Sequence, residues 1–421
     1  MQSLVAGCYD YRLVYGYSFM ITEHPMTSQE RRAVGSLALL YCFRMLGLFM
    51  VLPLLALYAD DLAGVSPTAI GLALGIYGLS QAVLQIPLGW LSDRVGRKPV
   101  IVGGLLVFAL GSVVAASADS IYGIIAGRAL QGAGAIASTV MALVADLTRD
   151  EQRTKAMAMV GMSIGMSFAV ALILGPAIAT AGGLAAVFWF TAGLSLVGIL
   201  IVLLLVPNPQ RGQRHDDVGL RSDLVWRSLG NADLLRLNFG VFCLHFILMA
   251  CFLVLPQYLR DVAGLDRDSH WQVYLPALLL SIIGMVPLMI LAERKGKLRE
   301  VFLLAITLVL GALVMMGSAS APVLLYLGLW IFFIGFNYLE ATLPSLVSKA
   351  VFAGGKGTAL GVFSTCQFLG AFAGGALGGA LLEYGGTQAL FAICLGLGVL
   401  WWLFSLPGFA RANQVTAQAG D

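Results

Sequence analysis

The chain has 421 residues, of which 59% are hydrophobic and only 11% are charged. Soluble globular proteins are usually about 45–50% apolar and about 25% charged, so this sequence has too few charges to cover a surface that faces water. The formal net charge is only +3, and no basic tract with interleaved aromatic residues occurs, which argues against nucleic-acid binding. Composition therefore predicts an integral membrane protein whose surroundings are the lipid bilayer.

Residues 1–32 precede the first long apolar stretch and form the predicted cytoplasmic amino-terminal segment. Residues 1–25 lack the basic start and the uninterrupted apolar run of a signal peptide. We expect them to be an extension ahead of a body that begins at Met26. Sequencing the amino terminus of the natural product tests this expectation.

A helix needs about 20 mainly apolar residues to cross a bilayer. Twelve stretches of the sequence qualify, and together they predict an all-α membrane protein. Their bounds are 33–59, 67–91, 99–117, 121–144, 155–180, 184–206, 237–258, 271–292, 300–317, 322–347, 358–382 and 387–408.

The longest polar stretch, 207–236, lies between the sixth and seventh predicted spans. It divides the chain into two predicted six-helix bundles, 33–206 and 237–408, and a carboxyl-terminal tail follows at 409–421. Within this linker the segment VGLRSDLVWRSL at 218–229 has two equally supported interpretations, an interfacial amphipathic helix and a solvated connection.

Lysine and arginine residues predict the orientation of the spans, because short cytoplasmic loops are enriched in them. They lie mostly at the termini and in the even-numbered connections, whereas the odd-numbered connections hold only Arg260 and Arg267. Both termini are therefore predicted to be cytoplasmic, as in a multi-pass protein of a bacterial-type inner membrane. The inner end of the protein is the end predicted to face the cytoplasm, and the outer end is the opposite one.

Short matches recur between the two halves, in the same order and at a nearly constant offset. FMVLP at 49–53 returns as FLVLP at 252–256, DRVGRK at 93–98 as ERKGKL at 293–298, and RTKAMAMV at 153–160 as KGTALGVF at 356–363. They predict two parallel six-helix repeats. Such repeats are typical of transporters whose halves rock around a site near the midplane. The alternative is that duplication is only a stable way to build a bundle.

One segment resembles a known signature. GWLSDRVGRKP at 89–99 resembles motif A of the major facilitator superfamily, G-x-x-x-D-R-x-G-R-K, in the expected connection between spans two and three. GRALQGAGA at 127–135 is similar to motif B, and Gly175 with Pro176 to the core of motif C, the antiporter signature. Residues 44–53 and 356–370 are most similar to the YajR branch. The resemblance covers nearly everything from Met26 onward and implies the major facilitator fold.

The sequence departs from these patterns in two places. In motif C the paired glycines come later than usual, at Gly182 and Gly183, which weakens an argument for antiport from this motif. YajR proteins also carry a soluble carboxyl-terminal domain, whereas this sequence ends soon after the twelfth predicted span. The resemblance therefore implies no property of that soluble domain for this sequence.

The resemblance to motif A implies a latch at the inner end. Asp93 would meet the positive amino-terminal end of span eleven near Gly357, and Arg97 would reach Asp146. This latch would hold the halves together on the inner side and favour the outward-open state. The alternative is that Arg94, Arg97 and Lys98 only anchor the connection in the cytoplasm. The predicted latch residues are Gly89, Asp93, Arg94, Gly96, Arg97 and Asp146.

Four ionisable residues lie deep in the predicted spans: Arg44, Arg128, His245 and Glu340, in spans one, four, seven and ten. Groups this costly in lipid should face the bundle interior or water. In the superfamily that the sequence resembles, these four spans line a central cavity. The predicted cavity set is therefore these residues with Asn337, which lies one turn from Glu340. Arg44 and Glu340 are expected to pair across the two halves.

Several roles stay open for this set. Glu340 is the first candidate for a proton-coupling carboxylate, and a permanent structural pair with Arg44 is the alternative. His245 is a second candidate proton carrier, against the role of a satisfied polar residue. Arg44 and Arg128 are also candidates for binding an anionic substrate, while similarity to motif B implies a proton-relay or structural role for Arg128. Four glutamines are expected to bond neighbouring helices more often than substrate: Gln81, Gln85, Gln131 and Gln367.

These features predict a monomeric secondary transporter that exports a small organic solute, such as a drug, a sugar or an organic anion, in exchange for protons. Proton-coupled import and facilitated diffusion are alternatives, and a non-transporting receptor or scaffold is an alternative from another class. The sequence has no G-x-x-x-x-G-K-[ST] loop, so neither ATP nor a cofactor is expected. Its six cysteines and four histidines lack metal-ligand or catalytic spacing, so no metal site and no enzyme is predicted.

Overall fold

The structure is a computed structural model that describes residues 25–59, 62–208, 230–351 and 356–408. The expected extension at 1–25 therefore lies almost entirely outside the described residues. The segment 218–229 and the carboxyl-terminal tail 409–421 also lie outside them.

The described residues are nearly all α-helical, with a 3₁₀ turn at Arg267–Ser269. In these residues the only strand-like pairing is an isolated bridge between Ala63 and Ser120. This confirms the predicted all-α class. In chain order the helices are α1 (Ser28–Tyr58), α2 (Pro67–Val95), α3 (Arg97–Ala116), α4 (Ile121–Ala133), α5 (Ala137–Asp146), α6 (Asp150–Leu204), α7 (Ala232–Asp261), α8 (Trp271–Arg294), α9 (Leu298–Gly317), α10 (Pro322–Ala350) and α11 (Lys356–Ser405).

Ten stretches of the described residues are long and apolar enough to cross a membrane. Two helices are too long for one crossing, since α6 has 55 residues and α11 has 50, or roughly 80 and 75 Å. Each changes direction at a glycine in the left-handed region, Gly183 (φ 65°) in α6 and Gly386 (φ 71°) in α11. Both glycines lie in predicted connections between spans. Division there would give twelve spans, and that number stays a prediction.

The predicted span 121–144 is interrupted in the structure. Helix α4 ends at Ala133, Gly134 follows with non-helical backbone angles, and α5 begins at Ala137. The last carbonyl groups of α4 thereby lose their helical partners. The break leaves polar backbone atoms deep in the protein, where a side chain from another helix has access to them.

The two halves of the chain meet along α2 and α11, which run antiparallel. A Cβ atom placed on Gly75 would lie 2.7 Å from the carbonyl oxygen of Phe372, and one on Gly78 would lie 2.6 Å from that of Phe368. Towards the outer end, Gly71 and Gly375 face each other in the same way. Only residues without a side chain permit helices to pack this closely in a membrane. The glycines of both helices therefore bring the two halves into backbone contact.

Large apolar side chains are exposed around the outside of the protein. Trp189, Leu203, Ile283 and Phe404 are each more than half exposed. A soluble protein would not present so many of them to water, whereas lipid tails solvate them well. This surface agrees with a multi-pass membrane protein.

Candidate functional site

Arg44 of α1 is held by groups of the amino-terminal half. Its Nη2 donates hydrogen bonds to the hydroxyl of Tyr77 at 2.9 Å, to Oε1 of Gln81 at 2.6 Å and to the carbonyl oxygen of Gly134 at 3.5 Å. Its guanidinium carbon lies 5.9 Å from the ring centre of Phe108. Only 3% of the residue is exposed. Arg44 therefore ties α1 to α2 and to the break between α4 and α5.

Arg128 of α4 is fully buried beside the same tyrosine. Its guanidinium carbon lies 5.0 Å from the ring centre of Tyr77, and its Nε donates to the carbonyl oxygen of Ala73 at 3.3 Å. Its Nη1 donates to Oε1 of Gln131 at 2.9 Å, and Gln131 donates to the hydroxyl of Ser112 at 2.8 Å. All these partners belong to α2, α3 and α4, so this network stays within the amino-terminal half.

The expected ion pair between Arg44 and Glu340 is not formed in this structure. Arg44 binds groups of the amino-terminal half, whereas Glu340 binds groups of the carboxyl-terminal half. Neither Arg44 nor Arg128 has a carboxylate within ion-pair distance in the described residues. Equal depth in the membrane does not fix the direction of a side chain, and the polar groups of α2 lie nearer to Arg44. Both arginines are buried within the amino-terminal half in this structure, and a common chamber with Glu340 stays a prediction.

Glu340 and His245 lie side by side in the carboxyl-terminal half. The Oε2 atom of Glu340 is 3.7 Å from Nε2 of His245. The amide nitrogen of Gln367 lies 3.1 Å from Oε1 of Glu340 and 2.8 Å from Nε2 of His245, so it bridges the two. The Glu340 side chain is 40% exposed and that of His245 only 12%. Helices α7 and α10 thus contribute a partly accessible acid–base pair, and α11 contributes the glutamine that bridges it.

The hydrogen bond to Val241 places a hydrogen on Nδ1 of His245. Its Nδ1 is 3.1 Å from the carbonyl oxygen of Val241, which only accepts hydrogen bonds, so Nδ1 carries the hydrogen. In the neutral ring Nε2 then has a free electron pair, which accepts a hydrogen bond from the amide of Gln367. Nε2 and the carboxylate of Glu340 are therefore both able to receive a proton.

Asn337 does not join this pair, although it lies one turn away on α10. Its amide donates to the hydroxyl of Ser281 on α8 at 2.7 Å. The side chain therefore connects two helices of the carboxyl-terminal half. Its predicted place in the cavity set stays a prediction.

Aromatic rings link His245 to the amino-terminal half. Phe332 and Phe336 precede Glu340 on α10 by two turns and one turn, so the three lie on the same side of the helix. The successive ring-centre distances are 6.1 Å for His245–Phe336, 5.9 Å for Phe336–Phe332, 5.7 Å for Phe332–Phe333, 6.2 Å for Phe333–Phe168 and 5.1 Å for Phe168–Phe49. Phe336, Phe168 and Phe49 are only half-buried.

The predicted contact between Arg97 and Asp146 is present. The Nε atom of Arg97 lies 3.1 Å from a carboxylate oxygen of Asp146, and Nη1 donates to the hydroxyl of Ser92 at 2.7 Å. Arg97 also pairs with Asp93, whose side chain is 39% exposed. Asp93 thus binds within its own half, and its contact with the start of α11 stays a prediction.

The other predicted motif residues have local roles. Gly96 adopts a φ of 102°, which favours glycine, between α2 and α3. Gly89 lies near Ser138, and the guanidinium of Arg94 lies over the ring of Trp90 at 3.7 Å. In motif C, a Cβ on Gly175 would lie 3.3 Å from the carbonyl oxygen of Met50, so the Gly175–α1 contact is close, and Pro176 follows inside α6.

Polar contacts join the two halves at the outer end, and no sequence motif indicated them. The backbone N–H of Thr68 at the start of α2 donates to Glu383 of α11 at 3.0 Å. The hydroxyl of Tyr58 donates to Asp268 at 3.0 Å, and the guanidinium of Arg267 lies 4.9 Å from the tyrosine ring. A carboxylate at a helix amino terminus is favoured by the helix dipole. These contacts join the two halves at the outer end.

The fold and the motifs of this chain match those of a known family. The model of the Major Facilitator Superfamily matches residues 37–375, most of the chain. The chain belongs to this superfamily. Its members are transporters, so the protein is a membrane transporter and not an enzyme.

Curated relatives place it more narrowly. "Inner membrane transport protein YajR" of Escherichia coli (strain K12) is 48% identical over 382 residues, which cover 90% of this chain and 84% of that protein. "Uncharacterized transporter BU466" of Buchnera aphidicola (subsp. Acyrthosiphon pisum) is 38% identical over 351 residues and covers 83% and 90%. The chain is therefore a transporter of the YajR branch.

More distant proteins share the fold. "Multidrug resistance protein MdtH" of Aeromonas salmonicida is 27% identical over 345 residues, which cover 82% of this chain and 86% of that protein. A bacterial homologue of the human lysosomal transporter Spinster, solved in an inward-facing and occupied conformation, superposes with a TM-score of 0.73 at 14% identity and covers 92% of this chain and 99% of that one. The major facilitator fold is thereby confirmed.

Proposed function

We propose that this protein is a proton-coupled secondary transporter that exports a small organic solute across a bacterial inner membrane. Glu340 and His245 are the proton-carrying pair. The observation that supports this proposal most is their contact: an acid and a base 3.7 Å apart, bridged by Gln367, with the carboxylate 40% exposed. Such a pair holds a proton on either member and exchanges it with water.

Protonation changes the contacts of Gln367. While Nε2 of His245 is unprotonated, it accepts a hydrogen bond from the Gln367 amide. A proton on Nε2 turns this nitrogen into a donor, so Gln367 has to present its oxygen instead. Gln367 lies on α11, the helix that packs on α2 of the other half. A proton bound at this pair therefore acts directly on the helix that joins the halves.

Export is supported by the name of one relative, the multidrug resistance protein MdtH. With the predicted cytoplasmic termini, the accessible Glu340 would receive a solute from inside and a proton from outside.

The test is flux in proteoliposomes made from the full chain. A thermal-shift panel of organic cations, anions and neutral solutes first supplies a ligand, and its flux is then measured with and without an imposed pH gradient. We expect the gradient to accelerate flux of the wild type and to leave Glu340→Gln unaffected. The matched control is Glu293→Gln, which removes an exposed carboxylate at the inner end of α8 and should behave as the wild type.

Two outcomes distinguish the alternatives. Flux that ignores the pH gradient in the wild type identifies a facilitative uniporter. Flux in the same direction as the protons identifies an importer. Retained acceleration in Glu340→Gln, with protein that elutes as the wild type does, would remove this residue from the coupling mechanism.

A further inference from the structure

We infer that the transported solute is a lipophilic organic cation with aromatic rings, bound between Glu340 and the half-buried phenylalanines beside it. This inference rests on the proposed function, because it assigns the substrate class of the same site. Among drugs, sugars and organic anions in general, it selects positively charged solutes with aromatic surfaces.

The first step is that the arginines are not exposed to a solute in this structure. Arg44 is 3% exposed and Arg128 is fully buried. Arg44 donates to Tyr77 and Gln81 of α2, and Arg128 donates to Ala73 of α2 and to Gln131 of its own helix. The positive charges deep in the protein are therefore screened from a solute between the halves.

The second step is that the accessible charge is negative. Among the four deep ionisable residues, Glu340 has by far the most exposed side chain. The titratable group that faces it is His245 of α7, while α11 contributes the uncharged Gln367. When His245 is neutral and Glu340 is ionised, the pair carries a charge of −1. A cation neutralises this charge without a new buried counter-ion.

The third step concerns the surface next to the carboxylate. Phe336 lies one turn from Glu340 on the same side of α10, and its ring is 6.1 Å from that of His245. Phe168 and Phe49 of the amino-terminal half are also half-buried and lie 5.1 Å apart in an edge-to-face arrangement. Aromatic faces attract cations and pack against aromatic ligands. Phe336 therefore lies beside the carboxylate, and ring contacts continue from it through the buried Phe332 and Phe333 to the amino-terminal half.

Proton and cation then compete for the same carboxylate. A proton on Glu340 removes the charge that binds the cation, and a bound cation disfavours the proton. This competition produces exchange without any further titratable group. It also predicts that acid weakens binding of the cation.

Two ions of the same shape and opposite charge test the inference directly: tetraphenylphosphonium and tetraphenylborate. Their binding to the purified full chain is measured at about pH 8 and about pH 5, with protein-free micelles as blank. We expect tetraphenylphosphonium to bind more tightly than tetraphenylborate at the higher pH. Its affinity should fall by about ten-fold or more in Glu340→Gln, as for loss of a contact with a charged group. That variant should also lose the pH dependence.

Three further variants separate the site from folding. Glu340→Asp keeps the charge and should retain tetraphenylphosphonium binding, whereas Phe336→Ala should weaken it by about three-fold or more and Phe336→Trp should not. Glu293→Gln should bind as the wild type does. Preferential binding of tetraphenylborate, or unchanged cation binding by Glu340→Gln, would overturn the inference. If the phosphonium fails to bind while flux of another solute still follows the pH gradient through Glu340, the substrate class is wrong and the proposed function stands.

Discussion

Arg44 carries a full positive charge inside the protein, and only neutral groups surround it. Its closest partner is Oε1 of Gln81 at 2.6 Å, while the amide nitrogen of the same glutamine has no hydrogen-bond partner in the described residues. The side chain of Gln81 therefore uses its acceptor and leaves its donor unpaired. A carboxylate would fit this position better than an amide, because it accepts hydrogen bonds only and brings the missing charge.

This leads to opposite expectations for two substitutions. Gln81→Leu leaves a buried guanidinium with one acceptor fewer, and we expect it to lower the free energy of unfolding by about 1–3 kcal/mol. Gln81→Glu should keep or raise stability, because it pairs with Arg44. Thermal unfolding in one detergent, at neutral pH, measures both. A Gln81→Glu protein that is less stable than Gln81→Leu would contradict this account of Arg44.

At the scale of single residues, the sequence indicated the chemistry but not the partners. The cost of burying charge singled out Arg44, Arg128, His245 and Glu340 correctly as residues with polar surroundings. The partners depend on the rotation of each helix about its axis, which the spacing of apolar residues does not determine. Tyr77 was not predicted as a partner of the arginines, because tyrosines are common in apolar stretches. Gln367 was expected only to bond neighbouring helices, although it bridges Glu340 and His245.

Helices α2 and α11 carry a carboxylate at opposite ends of their contact. At the outer end Glu383 of α11 accepts a hydrogen bond from the N–H of Thr68 at the start of α2. At the inner end Asp93 of α2 is predicted to meet the start of α11, but here it pairs with Arg97 of its own half. The outer contact is thus engaged in this structure and the inner contact with α11 is not observed. We interpret the structure as closed at its outer end.

Loss of the outer carboxylate should open the outer end. We expect Glu383→Gln to shift the equilibrium towards the outward-open state by about two- to five-fold, since it removes one charge from a helix amino terminus. Spin labels at Ser117 and Gln388, in a background without native cysteines, report the outer distance between the halves. Asp119→Asn is the matched control, because it removes an exposed outer carboxylate of the amino-terminal half. Equal distances in Glu383→Gln and the control would refute the role of this contact.

Loss of the inner carboxylate should act in the opposite direction. Asp93→Asn is expected to favour the inward-open state, because the predicted motif A latch would hold the inner ends together when they are closed. Labels at Glu151 and Lys297 report the inner distance. If Asp93→Asn gives the same inner distance distribution as the wild type, the arginines of this connection serve only as anchors.

The elements themselves follow from sequence to a large extent. Apolar length located the ten stretches of the described residues that are long enough to cross a membrane. Ser66 with Pro67 begins α2 where the apolar run begins. The break at Gly134 was not predicted, because a glycine inside a span is usually tolerated without a break. It results from close contact between α3 and α4, where Gly134 faces the backbone of Gly104. The glycines with non-helical backbone angles in α6 and α11 coincide with predicted connections.

Considered as a whole, the molecule places its accessible carboxylate in one half and its buried cations in the other. The amino-terminal half holds Arg44 and Arg128 buried among polar groups, and the carboxyl-terminal half holds the Glu340–His245 pair. In the proposed mechanism, proton binding acts on α7, α10 and α11, and the glycine contacts of α11 would transmit it to α2. Membership of the superfamily was evident from motif A, whereas this division of roles required the structure.

The most direct test of the central claim is proton movement driven by the solute itself. Proteoliposomes that enclose a pH-sensitive dye receive an outward gradient of the transported solute, with no pH gradient at the start. The account predicts that the dye reports proton entry in the wild type and in Glu293→Gln, and no proton movement in Glu340→Gln. Proton movement of wild-type size in Glu340→Gln, or none in the wild type while solute still leaves, would contradict it.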